Sequence, residues 1–215
     1  MNKLNTIVVL GTAHRMREPG KQSPDGRLKE CIYSREICKD VATKLRAYGY
    51  KVEIDFEDLD LPKNMQTPCY SLELSRELGM RVNYVNEICR QYGKENVLYV
   101  SIHVDASGKD GNWHPGNGWS ARVSIKASNS SKKLAGCLFD AAKAHGLNVR
   151  QYVPSEKYWK QNLKVLNDTA CPAVLTENLF QDNKKDVDYL LSDEGRHNIA
   201  RLHVEGIIKY IDAVG

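Results

Sequence analysis

Val97-Leu98-Tyr99-Val100-Ser101-Ile102-His103 decides how the chain is read: a run rich in Val, Ile, Leu and Tyr has the composition of a strand, and an imidazole closes it. Four more such runs lie at Thr6 to Leu10, Lys51 to Asp55, Ser120 to Ile125 and Ala173 to Thr176. Helical stretches separate most of them. Tyr33, Ile37, Val41 and Leu45 recur every four residues, with Gly49 as a stop, and a second stretch runs from about Leu74 to Tyr92 and ends before Gly93. A third begins after Ser130 or Ser131, buries Leu134, Leu138 and Ala141, and stops at Gly146. The last runs from about Asp193, capped by Ser192, to near Ile211. The alternation predicts an α/β fold: one domain, with a mainly parallel twisted sheet and helices on both faces. Residues 105–118 hold four glycines, a proline, Trp113 and His114 without any period, and are expected to form a surface loop.

The 215 residues suit a single domain, expected to span 1–215, with no repeat, linker or separate binding module in view. Hydrophobic residues make up 41% and charged residues 27%, which excludes a disordered or fibrous chain. The 31 basic and 27 acidic residues are interspersed, so no basic stripe for nucleic acid exists, although slight basicity suits an anionic polymer. Six cysteines without a Cys-x-x-Cys pair read as reduced, mostly buried thiols. The apolar run at the amino terminus is short for a signal-peptide core and reads as the first strand. No segment approaches the roughly 20 apolar residues of a bilayer span, so no membrane insertion is expected.

Ligands of open parallel sheets bind beyond the carboxyl ends of the strands. His14 follows the run ending at Leu10, His103 closes the central run, and Glu177 follows Ala173-Val174-Leu175-Thr176. Glu30 sits where the first helix starts, and that helix leaves the loop carrying His14. Two imidazoles and one carboxylate are the donors of a catalytic rather than a structural zinc site, which leaves a position for water and lowers its pKa to about 7. Glu177 is then the candidate base that takes the proton of the water and returns it to a departing amine. Position alone leaves other readings open: a hydrogen-bonded histidine, a glutamate complementing a helix dipole, a glutamate paired with a lysine.

Pro172-Ala173-Val174-Leu175-Thr176-Glu177-Asn178-Leu179-Phe180, followed by Asn183, resembles the Pro-Ala-Val-Leu-Val-Glu-x-Gly-Phe-x-x-Asn pattern of the zinc-dependent N-acetylmuramoyl-L-alanine amidases of the amidase-3 type, found in autolysins and phage endolysins. Ser101-Ile102-His103-Val104-Asp105-Ala106 is similar to that family's Ser-Ile-His-Ala-Asn-Ala, Leu28-Lys29-Glu30 opens the helix that carries its glutamate ligand, and Leu78-x-x-Arg81 with Asn86 matches its second helix. The likeness runs from about Ile7 to Ile211. It implies a zinc ion (Zn2+) held by His14, Glu30 and His103, Glu177 as catalytic base, and peptidoglycan as partner, cut at the amide between N-acetylmuramic acid and L-alanine. A monomer is expected. So is residence in the cytoplasm until release for a phage lysin, or at the cell wall for an exported autolysin.

The chain departs from the pattern at three places. Gly11-Thr12-Ala13-His14-Arg15 stands where the family shows Asp-Pro-Gly-His-Gly, Leu179 where it prefers glycine, and Asn167 where arginine is frequent. No inhibitory helix is recognisable, so an accessible groove is expected. His114 is read as facing solvent or substrate, His145 as complementing the end of the third helix, and His197 and His203 as lying on different faces of the last. Trp113, Trp119 and Trp159 are candidates for stacking on sugars or for packing. Two further hypotheses are a zinc peptidase cutting within the stem peptide and a wall-binding module without activity.

Overall fold

Six strands form one sheet in the order β2-β1-β3-β6-β4-β5: β1 (Ile7–Gly11), β2 (Lys51–Ile54), β3 (Val97–Asp105), β4 (Ser120–Ser124), β5 (Trp159–Gln161) and β6 (Ala173–Phe180). The structure is a computed structural model and describes residues 5–215, which include the whole of the amino-terminal apolar run. Every strand pairing is parallel except that of β4 with β6. The chain is thus the expected α/β domain with a mostly parallel sheet between helices. β3 lies between β1 and β6 and is covered on both sides, which is why it is almost continuously apolar.

Alternation along the strands assigns the two faces. Leu98, Val100, Ile102 and Val104 pack with Val8, Leu10, Ala121, Val123 and Val174 against α1 (Glu30–Ala47), α3 (Asn129–Ala144) and α6 (Asp193–Val214). Val97 and Tyr99 pack with Ile7, Val9, Ala173 and Leu175 against α2 (Tyr70–Tyr92) and the single turn α4 (Lys164–Asn167). Ser128 and Ser192 cap α3 and α6 through the amides of Ser131 and Gly195. Sequence pattern located the four long helices to within four residues at their starts. It gave no sign of β5 or α4, which are three and four residues long and too short to show a period. α5 (Lys184–Leu191) was missed as well, although Asn183 announces it by accepting from the amides of Lys185 and Asp186.

Three strands outrun their expected ends, β1 by the single residue Gly11. β3 continues past His103 to Asp105, and β6 past Thr176 to Phe180, so Glu177 lies within β6 rather than after it. The lengthened β3, paired as His103↔Glu177 and Asp105↔Phe180, holds that extension in place, and β4 adds Ser120 opposite Glu177 on the other side. Between the pairs His103↔Glu177 and Asp105↔Phe180, β3 advances by two residues and β6 by three, a bulge that contains Leu179. Leu179 adopts φ +64°, the left-handed region that glycine enters at little cost. The preference for glycine at this position in the resembled pattern has this cause; here a buried leucine, 5% exposed, bears the strain and fills the core.

Behind β6 a chain of neutral groups fixes the strand to α6. The Thr176 hydroxyl bonds His203 Nε2 (2.9 Å), His203 Nδ1 donates to the Ile199 carbonyl (2.7 Å), and Asn178 joins Thr176, the His103 carbonyl and the indole of Trp119. His203 is fully buried, and burial lowers its pKa from the ordinary 6.5 to about 4. The unfolded chain therefore binds the extra proton between those values, and stability is lost as pH falls through that window. From this residue alone, about 2 kcal/mol should disappear between pH 7 and pH 5. Urea denaturation at the two pH values should show that increment in the wild type and not in His203→Gln; equal pH dependence in both would remove the assignment.

Candidate metal centre

β1 ends at Gly11 and the chain turns across the carboxyl edge of the sheet, where each of residues 12–15 is tied down. The Thr12 amide donates to Asp55 (2.9 Å) and its hydroxyl to the Phe56 carbonyl (2.6 Å). The Ala13 amide donates to Ser34 Oγ (2.8 Å), and the Ser34 hydroxyl donates onward to the Ile102 carbonyl (2.6 Å). Ala13 precedes His14 and Ile102 precedes His103, so one hydroxyl on α1 sets the separation of the two backbones that carry the imidazoles. Arg15 is buried against Glu73 and Glu77 of α2, and Glu77 also meets Arg81, which reaches Asp55. Removing one member of such a buried network leaves an uncompensated charge, typically at about 3–5 kcal/mol. The His14 loop is therefore rigid without the glycines that usually shape a tight turn. His14 itself has φ +46°.

Glu30, the first residue of α1, is 1% exposed. Its Oε1 accepts from the Val104 amide (3.1 Å) and lies 3.1 Å from His103 Nδ1, while its Oε2 lies 3.3 Å from His14 Nε2. The two imidazoles meet edge to face with centroids 5.0 Å apart. One ligand atom from each of His14, Glu30 and His103 falls within 4.8 Å of the other two. Glu30 Oε2 is buried and has no hydrogen-bond partner, a state that costs free energy unless a cation or donor meets it. The three donors thus fit a divalent metal ion. Burial opposes the charged imidazole of His14, but Glu30 and Glu18 overcome it and raise His14 to about 9; at His103 burial prevails and its pKa is lowered. Glu30 is held well below the ordinary carboxylate range by the two imidazoles, against the pull of burial.

Glu177 stands in register with His103 on the neighbouring strand. Burial, then the charges of Asp105 and Glu30, push it up to about 8, and its Oε2 has no partner. No lysine pairs with it among the described ion pairs. Asp105 binds Arg122 (3.0 Å) and Arg150 (2.9 Å), whose guanidinium groups lie 4.3 and 5.0 Å from the ring of Trp159. All four residues read from the sequence are therefore brought to one rim. Glu18 was missed: its carboxylate lies 3.0 Å from His14 Nδ1 and accepts from the Tyr70 hydroxyl (3.0 Å). Only its spacing of four from His14 could have pointed to it.

The remaining histidines lie outside this cluster. His114 bonds Asp110 (2.7 Å) in the 105–118 loop, His145 follows α3 and pairs with Glu205 (2.9 Å), His197 is exposed and His203 is buried. Trp119 is a core residue, 0% exposed; Trp159 is half-buried and Trp113 exposed. Asn167 bonds Ser124 and Asn162.

A family model described as N-acetylmuramoyl-L-alanine amidase matches residues 8–209. The endolysin of Bacillus phage SPP1 is 29% identical over 148 residues, 66% of this chain and 50% of that protein, so the chain spans about half the length of the curated relative it matches. Among solved structures, the N-acetylmuramoyl-L-alanine amidase from Clostridium difficile 630 superposes with a TM-score of 0.78 at 21% identity, covering 98% of both chains. The catalytic domain of CwlV, an N-acetylmuramoyl-L-alanine amidase from Bacillus (Paenibacillus) polymyxa var. colistinus, gives 0.73 at 21% identity, covering 96% of this chain and 98% of that one. These superpositions establish a shared fold.

Ser34→Ala should leave the Ala13 amide and the Ile102 carbonyl buried without partners, at about 2 kcal/mol. A lower urea midpoint at unchanged slope is the expected result, and an unchanged midpoint would deny Ser34 its bridging role.

Proposed function

The chain belongs to the N-acetylmuramoyl-L-alanine amidase family, and from that premise we propose that it is a zinc-dependent hydrolase of the amide joining N-acetylmuramic acid to L-alanine in peptidoglycan. The observation that carries the reading is the convergence of His14, Glu30 and His103 within 4.8 Å, with Glu177 on the adjacent strand. His14, Glu30 and His103 hold the metal. When bound, zinc supplies a Lewis acid that acidifies water, polarises the amide carbonyl and draws the carboxyl of Glu177 toward its ionised form.

Glu177 is the proton carrier. Its partnerless Oε2 takes a proton from the attacking water as the oxygen bonds to the carbonyl carbon, then passes it to the nitrogen as the carbon–nitrogen bond breaks. The products are a lactyl carboxylate and a free L-alanine amine. Glu18 Oε2 lies 3.0 Å from His14 Nδ1, and the Tyr70 hydroxyl donates to the other oxygen of Glu18; a carboxylate behind a metal-binding histidine biases its ring orientation and tautomer. Glu30, already oriented by the Val104 amide, needs no rearrangement to serve. The phage endolysin relative supports action on the wall at release, and the breadth of the family match supports a single catalytic domain.

Digestion of purified peptidoglycan tests the bond cut. Glycan strands stripped of peptide are expected, with new amino-terminal L-alanine; shortened stem peptides still attached to glycan would instead identify a peptidase. Glu177→Gln should reduce turnover by about a thousandfold or more while keeping zinc content at wild-type stoichiometry. His103→Ala should lose the metal, and zinc retained at full stoichiometry in that variant would move the centre elsewhere.

A further inference from the structure

We infer that Arg35 is a positioning residue for the metal centre, gripping the backbone of Ala13 and His14 so that the His14 imidazole is held toward Glu30. The inference rests on the reading of the centre given above. Arg35 lies on α1, five residues beyond Glu30, and is 5% exposed. Its Nη1 donates to the carbonyls of Ala13 (2.8 Å) and Cys31 (2.7 Å). Its Nη2 donates to the carbonyls of His14 (3.1 Å) and Asp58 (2.7 Å), and Nε donates again to Asp58 (3.0 Å).

All of these acceptors are main-chain carbonyls, and no carboxylate pairs with Arg35 among the described ion pairs. Burying a guanidinium without a counter-charge is expensive, so neutralising an acid is not its purpose. What the planar fork supplies is a fixed direction for several carbonyls at once, which the single ammonium of lysine cannot copy. His14 needs such a hold. A side chain at φ +46° lies in a region disfavoured by roughly 1–2 kcal/mol, and the loop has alanine and arginine beside His14 where glycine would relax it. Arg81 also reaches the His14 carbonyl, but at 3.4 Å, and its shorter bonds go to Asp55 and Glu77. Phe56 packs against both guanidinium groups, with Arg35 at 5.5 Å and Arg81 at 5.1 Å from the ring centroid, and keeps them apart from water. Glu30 and Arg35 thus serve the two ends of one task from neighbouring turns of one helix: the first binds the ion, the second presents its partner ligand.

Arg35→Lys and Arg35→Met are titrated with Co2+ after removal of metal, following the d–d absorption of the bound ion, with circular dichroism of the same samples to give the folded fraction. Wild-type protein should bind one Co2+. Both variants should fold and yet bind about ten- to a hundredfold more weakly, with an altered band shape, as for other residues that support a metal ligand. A folded variant that binds Co2+ with wild-type affinity and spectrum would make Arg35 a structural residue only and overturn the inference. So would failure of both variants to fold. Absence of Co2+ binding by the wild type would instead overturn the reading of the centre itself.

Discussion

A carboxylate taken out of water has to be compensated, and Glu30 is the carboxylate around which this molecule is arranged. It is almost completely buried at the first turn of α1, and one of its oxygens is spent on the Val104 amide and the His103 ring. The other faces His14 and has no well-directed donor. In ordinary cores such an oxygen is paired or absent. Here the negative charge is faced by the two imidazoles, an arrangement that suits the proposed metal ion, and the surrounding elements are fastened so that these donors stay within reach of one another.

The fastening is of two kinds, and they do different work. Hydrophobic packing on both sides of the sheet sets where β1, β3 and β6 lie, which brings the loop after β1 next to the ends of the other two. Packing of this sort is tolerant of small shifts. The final ångström is set by directional bonds: the Ser34 hydroxyl between Ala13 and Ile102, the Arg35 fork on Ala13 and His14, and the ion network of Arg15, Glu73, Glu77, Arg81 and Asp55 beneath the loop.

How much of this the sequence disclosed follows from the range of each interaction. Strands and long helices announce themselves by composition and period, so the order of elements and the rim that would hold His14, His103 and Glu177 were legible. β5, α4 and α5 were not, since three to eight residues give too short a record. At Glu177 the reading was right about the edge and wrong about the boundary, because the strand is lengthened by pairing with β3 on one side and Ser120 of β4 on the other, partners more than fifty residues away in sequence. Ser34, Arg35 and Glu18 were invisible for another reason. A serine and an arginine in a helix look like surface residues until the fold shows which carbonyls they meet, and a glutamate beside a loop has no signature of its own.

The spacing of Glu30, Ser34 and Arg35 has one more implication. All three lie within two turns of α1, and that helix starts at Lys29 without a side-chain cap. With no side-chain cap, that first turn is held by the Glu30 amide on the Lys21 carbonyl and by the contacts of Glu30, Ser34 and Arg35 themselves, so the residues that shape the centre are also the ones that anchor the helix. On the proposed reading of the centre, a bound ion and the first turn of α1 stabilise one another, so loss of the ion would be felt first at that turn and not in the sheet.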